Sequence, residues 1–152
     1  MLIYQEENYT PDFFREAWDL FVAHWNEVGV FKDKMELFPN EDLYEQLATM
    51  GLLKLYVVRH DGVIAGYSAF IIQQHPHYVT TKVAMNDILY VKPEYRKGSL
   101  SLKLMNFAEK NLQKEGVQFI SMHSKTEHDF GVILRRKGYQ PVETIYGKYI
   151  GE

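Results

Sequence analysis

Hydrophobic positions along the chain recur with two different periods, and the change from one to the other marks out the elements. Residues 2–5 read as a short strand, and Thr10 before Pro11 suits an N-cap followed by the first helical position. From there Phe13, Phe14, Ala17, Trp18, Phe21 and Val22 recur at helical spacing, which predicts an amphipathic helix to about His24. Residues 25–39 have no period and contain Gly29 and Pro39. Asn40 then caps a second helix from Glu41 to Met50, with Leu43, Leu47 and Met50 on one stripe and Gly51 as its stop.

At "LLKLYVVRH" the helical period stops and a β-rich run begins. This run and "VIAGYSAFIIQQ" are joined by Asp61-Gly62, which predicts a hairpin. After "HPHYVTTK" a third run covers Val83 to Val91. A turn follows, then a helix to about Glu115 that Gly116 ends, then the strand "VQFISMHS". Asp129 to Lys137 reads as a short helix stopped by Gly138, and "PVETIYGKYI" closes the chain with strand-like alternation.

The resulting order, β-α-α-β-β-β-α-β-α-β, is mixed α/β of the α+β kind. It has one strand–helix–strand crossover at about residues 84–124, expected to be parallel and right-handed. With no repeat, linker or low-complexity tract, residues 1–152 are expected to form one domain with a proper core.

Composition narrows the function classes. Apolar residues at 46% and aromatics at 14% describe a globular chain. A net charge of −3 gives no global field for nucleic acid, so any basic patch is local. The absence of cysteine removes disulfides, thiolate metal sites and cysteine nucleophiles. "MLIYQEENYT" lacks the basic and apolar regions of a secretory signal, and no run reaches the roughly 18 apolar residues of a membrane span. The expectation is a soluble cytoplasmic protein without membrane or nucleic-acid partners.

The stretch "YVKPEYRKGSLSLKLMNFAEKN" places Arg96, Lys97 and Gly98 between a strand and a helix. Two readings fit it. Ser99 or Ser101 caps the helix and the basic side chains are solvated. Alternatively, unpaired backbone N–H groups, the helix dipole and two full charges form a seat for diphosphate. The turn lacks a Walker ending and any Gly-x-Gly-x-x-Gly, which disfavours a nucleotide-binding domain.

"DILYVKPEYRKGSLSLKLMNFAEK" resembles the acetyl-coenzyme A signature of the GNAT (GCN5-related) N-acetyltransferase superfamily, Val-x-Pro-x-x-Arg/Gln-x-x-Gly-x-Gly/Ala before a leucine-bearing helix. Val91, Pro93, Tyr95, Arg96, Leu102 and Leu104 stand in register, and "RRKGYQPVE" resembles the closing Lys-x-Gly-Phe through Gly138 and Tyr139. The order of elements agrees over essentially the whole chain, and the spelling "NDILYVKPEYRKG" resembles GNAT-like proteins carried by bacteriophages. The resemblance implies about four helices and a mixed sheet of six to seven strands. The strand at Ile88–Val91, carrying a bulge, would splay from the strand Phe119–His123. It implies that acetyl-CoA lies in that opening, with its arm along Leu89, Tyr90 and Val91 and its pyrophosphate on Arg96, Lys97, Gly98, Ser99, Leu100 and Ser101. Ser99 and Ser101 stand where the family has Gly and Gly/Ala; a serine hydroxyl can contact a phosphate, while a Cβ at each position narrows the approach of backbone to ligand.

The implied activity is direct transfer of an acetyl group to a primary amine, on a small molecule or a protein, by a chain that could pair as a homodimer. Such a transfer needs a base for the ammonium and an acid for the departing thiolate. Asp87, in "MNDILYV", is the first candidate base; alternation puts it on the face of Leu89 and Val91, and capping or pairing with a lysine is the structural alternative. His123, at the end of its strand and facing the opening, is the second candidate. The tyrosine acid that many members carry in the last helix is replaced by Leu134, and Glu127 stands where asparagine is frequent. The rival reading is therefore a catalytically silent GNAT-fold protein that binds acyl-CoA or a partner. Glu27, Asp33, Glu36, Glu41 and Asp42, near the expected acceptor side, favour a cationic amine or are simply solvated. His75 and His77 flank Pro76 with no third ligand near in sequence, so no metal is expected.

Overall fold

A computed structural model describes all 152 residues. The order is β1 (Leu2–Glu7), α1 (Pro11–Val28), α2 (Glu41–Thr49), β2 (Leu53–His60), β3 (Val63–Gln74), β4 (Lys82–Val91), a 3-10 turn (Pro93–Tyr95), α3 (Leu100–Lys114), β5 (Phe119–Ser121) and α4 (Gly131–Arg136). The fold is α+β, with one five-stranded sheet in the order β1-β2-β3-β4-β5. The first four strands run antiparallel to their neighbours and β5 runs parallel to β4, as the crossover through α3 requires.

The sheet has fewer strands than the six to seven expected. The alternation over residues 141–150 does not become a strand, because alternation signals two-faced burial and not a pairing partner. No backbone–backbone hydrogen bond involves residues 140–152. The strand expected over "VQFISMHS" shortens to three residues, and α1 runs past His24 to Val28, where Gly29 N–H donates to the Trp25 carbonyl at 2.8 Å.

Two compact units emerge from the packing, one of Met1–Leu20 with Asn40–His123 and the other of Phe21–Pro39 with Ser124–Glu152. The first contains the whole sheet. On one sheet face, Tyr56, Val58, Phe70, Ile72, Ala84 and Val91 meet the apolar stripe Leu100, Leu104, Ala108 and Leu112 of α3. Leu104 and Leu112 are fully buried, and each such side chain contributes about 2 kcal/mol of transfer free energy. The opposite face receives the start of α1, where Phe13 meets Tyr67 edge-on at 6.2 Å. Asp61 and Gly62, with φ of 49° and 86°, make the predicted tight hairpin turn between β2 and β3. No helix is long and apolar enough to cross a membrane. The second unit includes α4 and the residues after it.

Candidate active site

The register between β3 and β4 slips by one residue: Ala69 faces Ile88, but Phe70 faces Asn86. Asp87 is thus the inserted residue of a β-bulge, one position before the stretch expected to carry it. Buried Asn86 holds the slip together. Its Nδ2 lies 3.2 Å from the Ser68 hydroxyl and from the carbonyls of Ala69 and Ile88.

The bulge also changes the face of Asp87. Leu89 and Val91 pack with the α3 core, whereas exposed Asp87 accepts a 2.6 Å hydrogen bond at Oδ2 from the Tyr44 phenol of α2. Strict alternation therefore misplaces this residue. An extra residue in one strand inverts the face assignment on one side of it. On the α1–α2 face Asp87 joins a tyrosine group: the Tyr9 and Tyr44 rings are 5.7 Å apart, and those of Tyr67 and Tyr90 are 5.9 Å apart. Burial pushes the Tyr44 phenol well above its usual range, and the charge and hydrogen bond of Asp87 add to this. Burial, then Tyr90 and Tyr44, raise the Tyr67 phenol likewise. Tyr9 is raised by burial and then by the charges of Glu41 and Glu45, which places both carboxylates near this group.

On its other edge β4 pairs with β5 only from Val83 to Met85. From Asn86 to Val91 that edge has no strand partner, which is the expected splay between the fourth and fifth strands. Lys92 N–H donates to the Ala65 carbonyl at 2.9 Å. Antiparallel alternation then points the backbone groups of Leu89 and Val91 away from β3, toward the open side. Tyr90 itself is buried against Tyr67.

The turn continues this open edge. Arg96 Nε donates to the Val91 carbonyl at 2.7 Å, and its guanidinium carbon lies 5.3 Å from the centre of the Tyr90 ring, so Arg96 braces the turn against the strand end. Tyr95 is tied to the end of β2, its hydroxyl 2.7 Å from His60 Nδ1. Backbone N–H groups of residues 97–102 donate to no backbone acceptor, and the first such bond is Lys103 N–H to the Ser99 carbonyl at 2.9 Å. Ser99 occupies the N-cap of α3 without making a side-chain cap bond. A Cβ at Gly98 would meet only open space.

His123 lies two residues past β5 and is exposed; no hydrogen bond or ion pair joins it to Asp87. The strand expected to carry it ends at Ser121, so His123 stands just beyond β5. Leu134 is a buried side chain of α4, and Glu127 is exposed in a turn. Glu41 and Asp42 open α2, whereas Glu27, Asp33 and Glu36 belong to the other unit. The His75 and His77 rings meet edge-on with centres 5.1 Å apart, His77 N–H donates to His75 Nδ1 at 3.0 Å, and no third ligand stands beside them.

Tyr44 and Asn86 were not identified from sequence. The adjacent polar pair Asn86-Asp87 inside an apolar run is the signal of a bulge. Tyr44 had no signal among 11 tyrosines.

Among solved structures, the chain is similar to a GCN5-related N-acetyltransferase from Ralstonia eutropha JMP134, with a TM-score of 0.79 at 18% identity over 99% of this chain and 100% of that one. An aminoglycoside acetyltransferase from an uncultured soil metagenomic sample gives a TM-score of 0.74 at 14% identity, covering 99% and 96%. A predicted acetyltransferase with acetyl-CoA from Clostridium acetobutylicum gives 0.73 at 12% identity, covering 99% and 97%. These likenesses show a shared fold. No curated protein matches the sequence closely enough to count as a relative. Residues 10–132, most of the chain, match the Acetyltransferase (GNAT) family, and the chain belongs to that family.

Proposed function

We propose that this chain is one acyltransferase domain that transfers an acetyl group from acetyl-CoA to a primary amine, on a small molecule or a protein, by direct transfer. The observation that carries the reading is the open edge of β4 at Leu89 and Val91, running into a turn whose N–H groups at 97–102 have no backbone acceptor. A pantetheine amide and a diphosphate need those donors and acceptors in that order. Leu89 and Val91 would hold the arm, with Tyr90 between them buried and turned to β3; Lys97, Gly98, Ser99, Leu100 and Ser101 would hold the diphosphate; Arg96 would keep the turn in shape and add charge. When bound, acetyl-CoA supplies an activated acetyl thioester. The absence of cysteine leaves no thiol for a covalent relay, which favours direct transfer.

Asp87 is the proposed base. Its carboxylate sits at the bulge, at the start of the open edge, where it would take a proton from an ammonium group. The acidic residues Glu41, Asp42 and Glu45 on α2 support a cationic acceptor, the class to which aminoglycosides belong. His123 is the lesser candidate, since it is exposed and has no hydrogen-bond partner to fix its ring.

A second reading rests on Leu134, a buried apolar side chain at the position where the family resemblance leads one to expect a tyrosine acid. On that reading the chain binds acyl-CoA without catalysing. Thiol release from acetyl-CoA separates the two, across a panel of an aminoglycoside, glucosamine 6-phosphate, spermidine and an alanine-terminated peptide. Catalysis predicts amine-dependent thiol release that falls by roughly 10²- to 10⁴-fold in Asp87→Asn. Release with none of the amines supports the silent reading, and unchanged turnover in Asp87→Asn removes Asp87 as base.

A further inference from the structure

Tyr44 lies 43 positions before Asp87 on a different element, yet its phenol donates a 2.6 Å hydrogen bond to Oδ2 of that carboxylate. Two independent devices converge on Asp87. Asn86 locks the bulge from the α3 face, through the Ser68 hydroxyl and the Ala69 and Ile88 carbonyls, and so fixes where the Asp87 backbone turns out. Tyr44 then fixes where the side chain points from the opposite face. Oδ1 is left without a partner in the protein.

We infer that Tyr44 is a positioning residue for Asp87, holding Oδ2 so that Oδ1 is presented to the acceptor amine. The inference rests on the reading of Asp87 as the base. An exposed aspartate samples several rotamers, and proton transfer needs one oxygen within hydrogen-bond reach of the ammonium. A phenol suits this task better than a lysine or arginine. It orients the carboxylate but leaves its full negative charge, so it does not compete with the ammonium as a counter-ion. Burial and the Asp87 charge keep the phenol protonated, so it remains a donor throughout. The proton balance is simple. One N–H proton of the ammonium passes to Asp87 Oδ1, giving a neutral amine and a carboxylic acid, while Tyr44 retains its own proton.

The test is a double-mutant cycle with Tyr44→Phe, Asp87→Asn and the double variant, assayed with acetyl-CoA and whichever amine of the panel the unaltered protein turns over fastest. Tyr44→Phe is expected to lower kcat about ten- to a hundredfold, the size associated with one hydrogen bond to a charged group, with KM within about twofold. In the Asp87→Asn background the same change is expected to cost less than about twofold, because a residue acting through Asp87 has nothing left to orient. A purely structural cost would appear equally in both backgrounds, which keeps the test decisive even if Tyr44→Phe lowers stability. The inference is overturned if Tyr44→Phe keeps the kcat of the unaltered protein, if its loss lies in KM alone, or if its effect multiplies with that of Asp87→Asn. No turnover in the unaltered protein, or full turnover in Asp87→Asn, would instead remove the base assignment and this inference with it.

Discussion

Asn86 and Asp87 are adjacent, and their side chains meet opposite requirements. Asn86 is 3% exposed and has three hydrogen-bond partners within the sheet, while exposed Asp87 has one, from Tyr44. Truncating the buried amide strands a hydroxyl and two carbonyls. Asn86→Ala is therefore expected to destabilise the protein by about 2–3 kcal/mol, read from urea unfolding. A loss below about 0.5 kcal/mol would mean that the bulge does not depend on this side chain. Glu7 shows a different balance. Burial opposes its ionisation, but hydrogen bonds from Arg59 and Gln5, with the Arg59 charge, outweigh it and hold the carboxyl below its usual range. A carboxyl lowered in the folded state binds fewer protons there than in the unfolded chain. Its contribution is thus present above the unfolded value near 4.5 and lost as pH falls through the lower folded value. Urea unfolding between pH 6 and acid should show this loss, and Glu7→Gln should flatten that part of the profile. An identical acid slope in the variant would contradict the assignment.

The helix starts differ in a way that matters for the site. Asn40 caps α2 through Oδ1, which accepts from Leu43 N–H at 3.0 Å, whereas Ser99 starts α3 without any side-chain cap bond. Asn40→Ala is expected to cost about 1 kcal/mol of stability and Ser99→Ala less than about 0.5 kcal/mol, compared by urea denaturation under one set of conditions. Equal costs would show that Ser99 does cap α3 in solution. An uncapped start leaves its N–H groups for a ligand, so the serine that sequence alone suggested as a cap is better read as part of the turn. Much of the element level was legible before the structure. The β-rich runs gave β2, β3 and β4, the leucine-bearing run ended by Gly116 gave α3, and Asp61-Gly62 gave the hairpin turn. The bulge was not legible in its place, because a period-two pattern carries no mark for an inserted residue beyond two polar positions in succession. The alternation after Pro141 misled for the opposite reason, since it describes side chains and says nothing about a hydrogen-bonding neighbour.

At the scale of the molecule, the motif at Val91–Ser101 and the order of elements were enough to anticipate the family, because both are local or sequential properties. The Tyr44–Asp87 pair was beyond reach, since it joins two elements across 43 positions and only the folded sheet brings them together. The central claim is that the open edge of β4 and the turn after it hold acetyl-CoA. Thermal unfolding with and without the coenzyme tests this without knowledge of the acceptor. A ligand that binds the native state at about 100 times its dissociation constant stabilises it by roughly 2.7 kcal/mol, which for a chain of this size raises the Tm by roughly 5–10 °C. The account predicts a rise of that order with millimolar acetyl-CoA. An unchanged Tm would contradict both the catalytic and the silent coenzyme-binding readings.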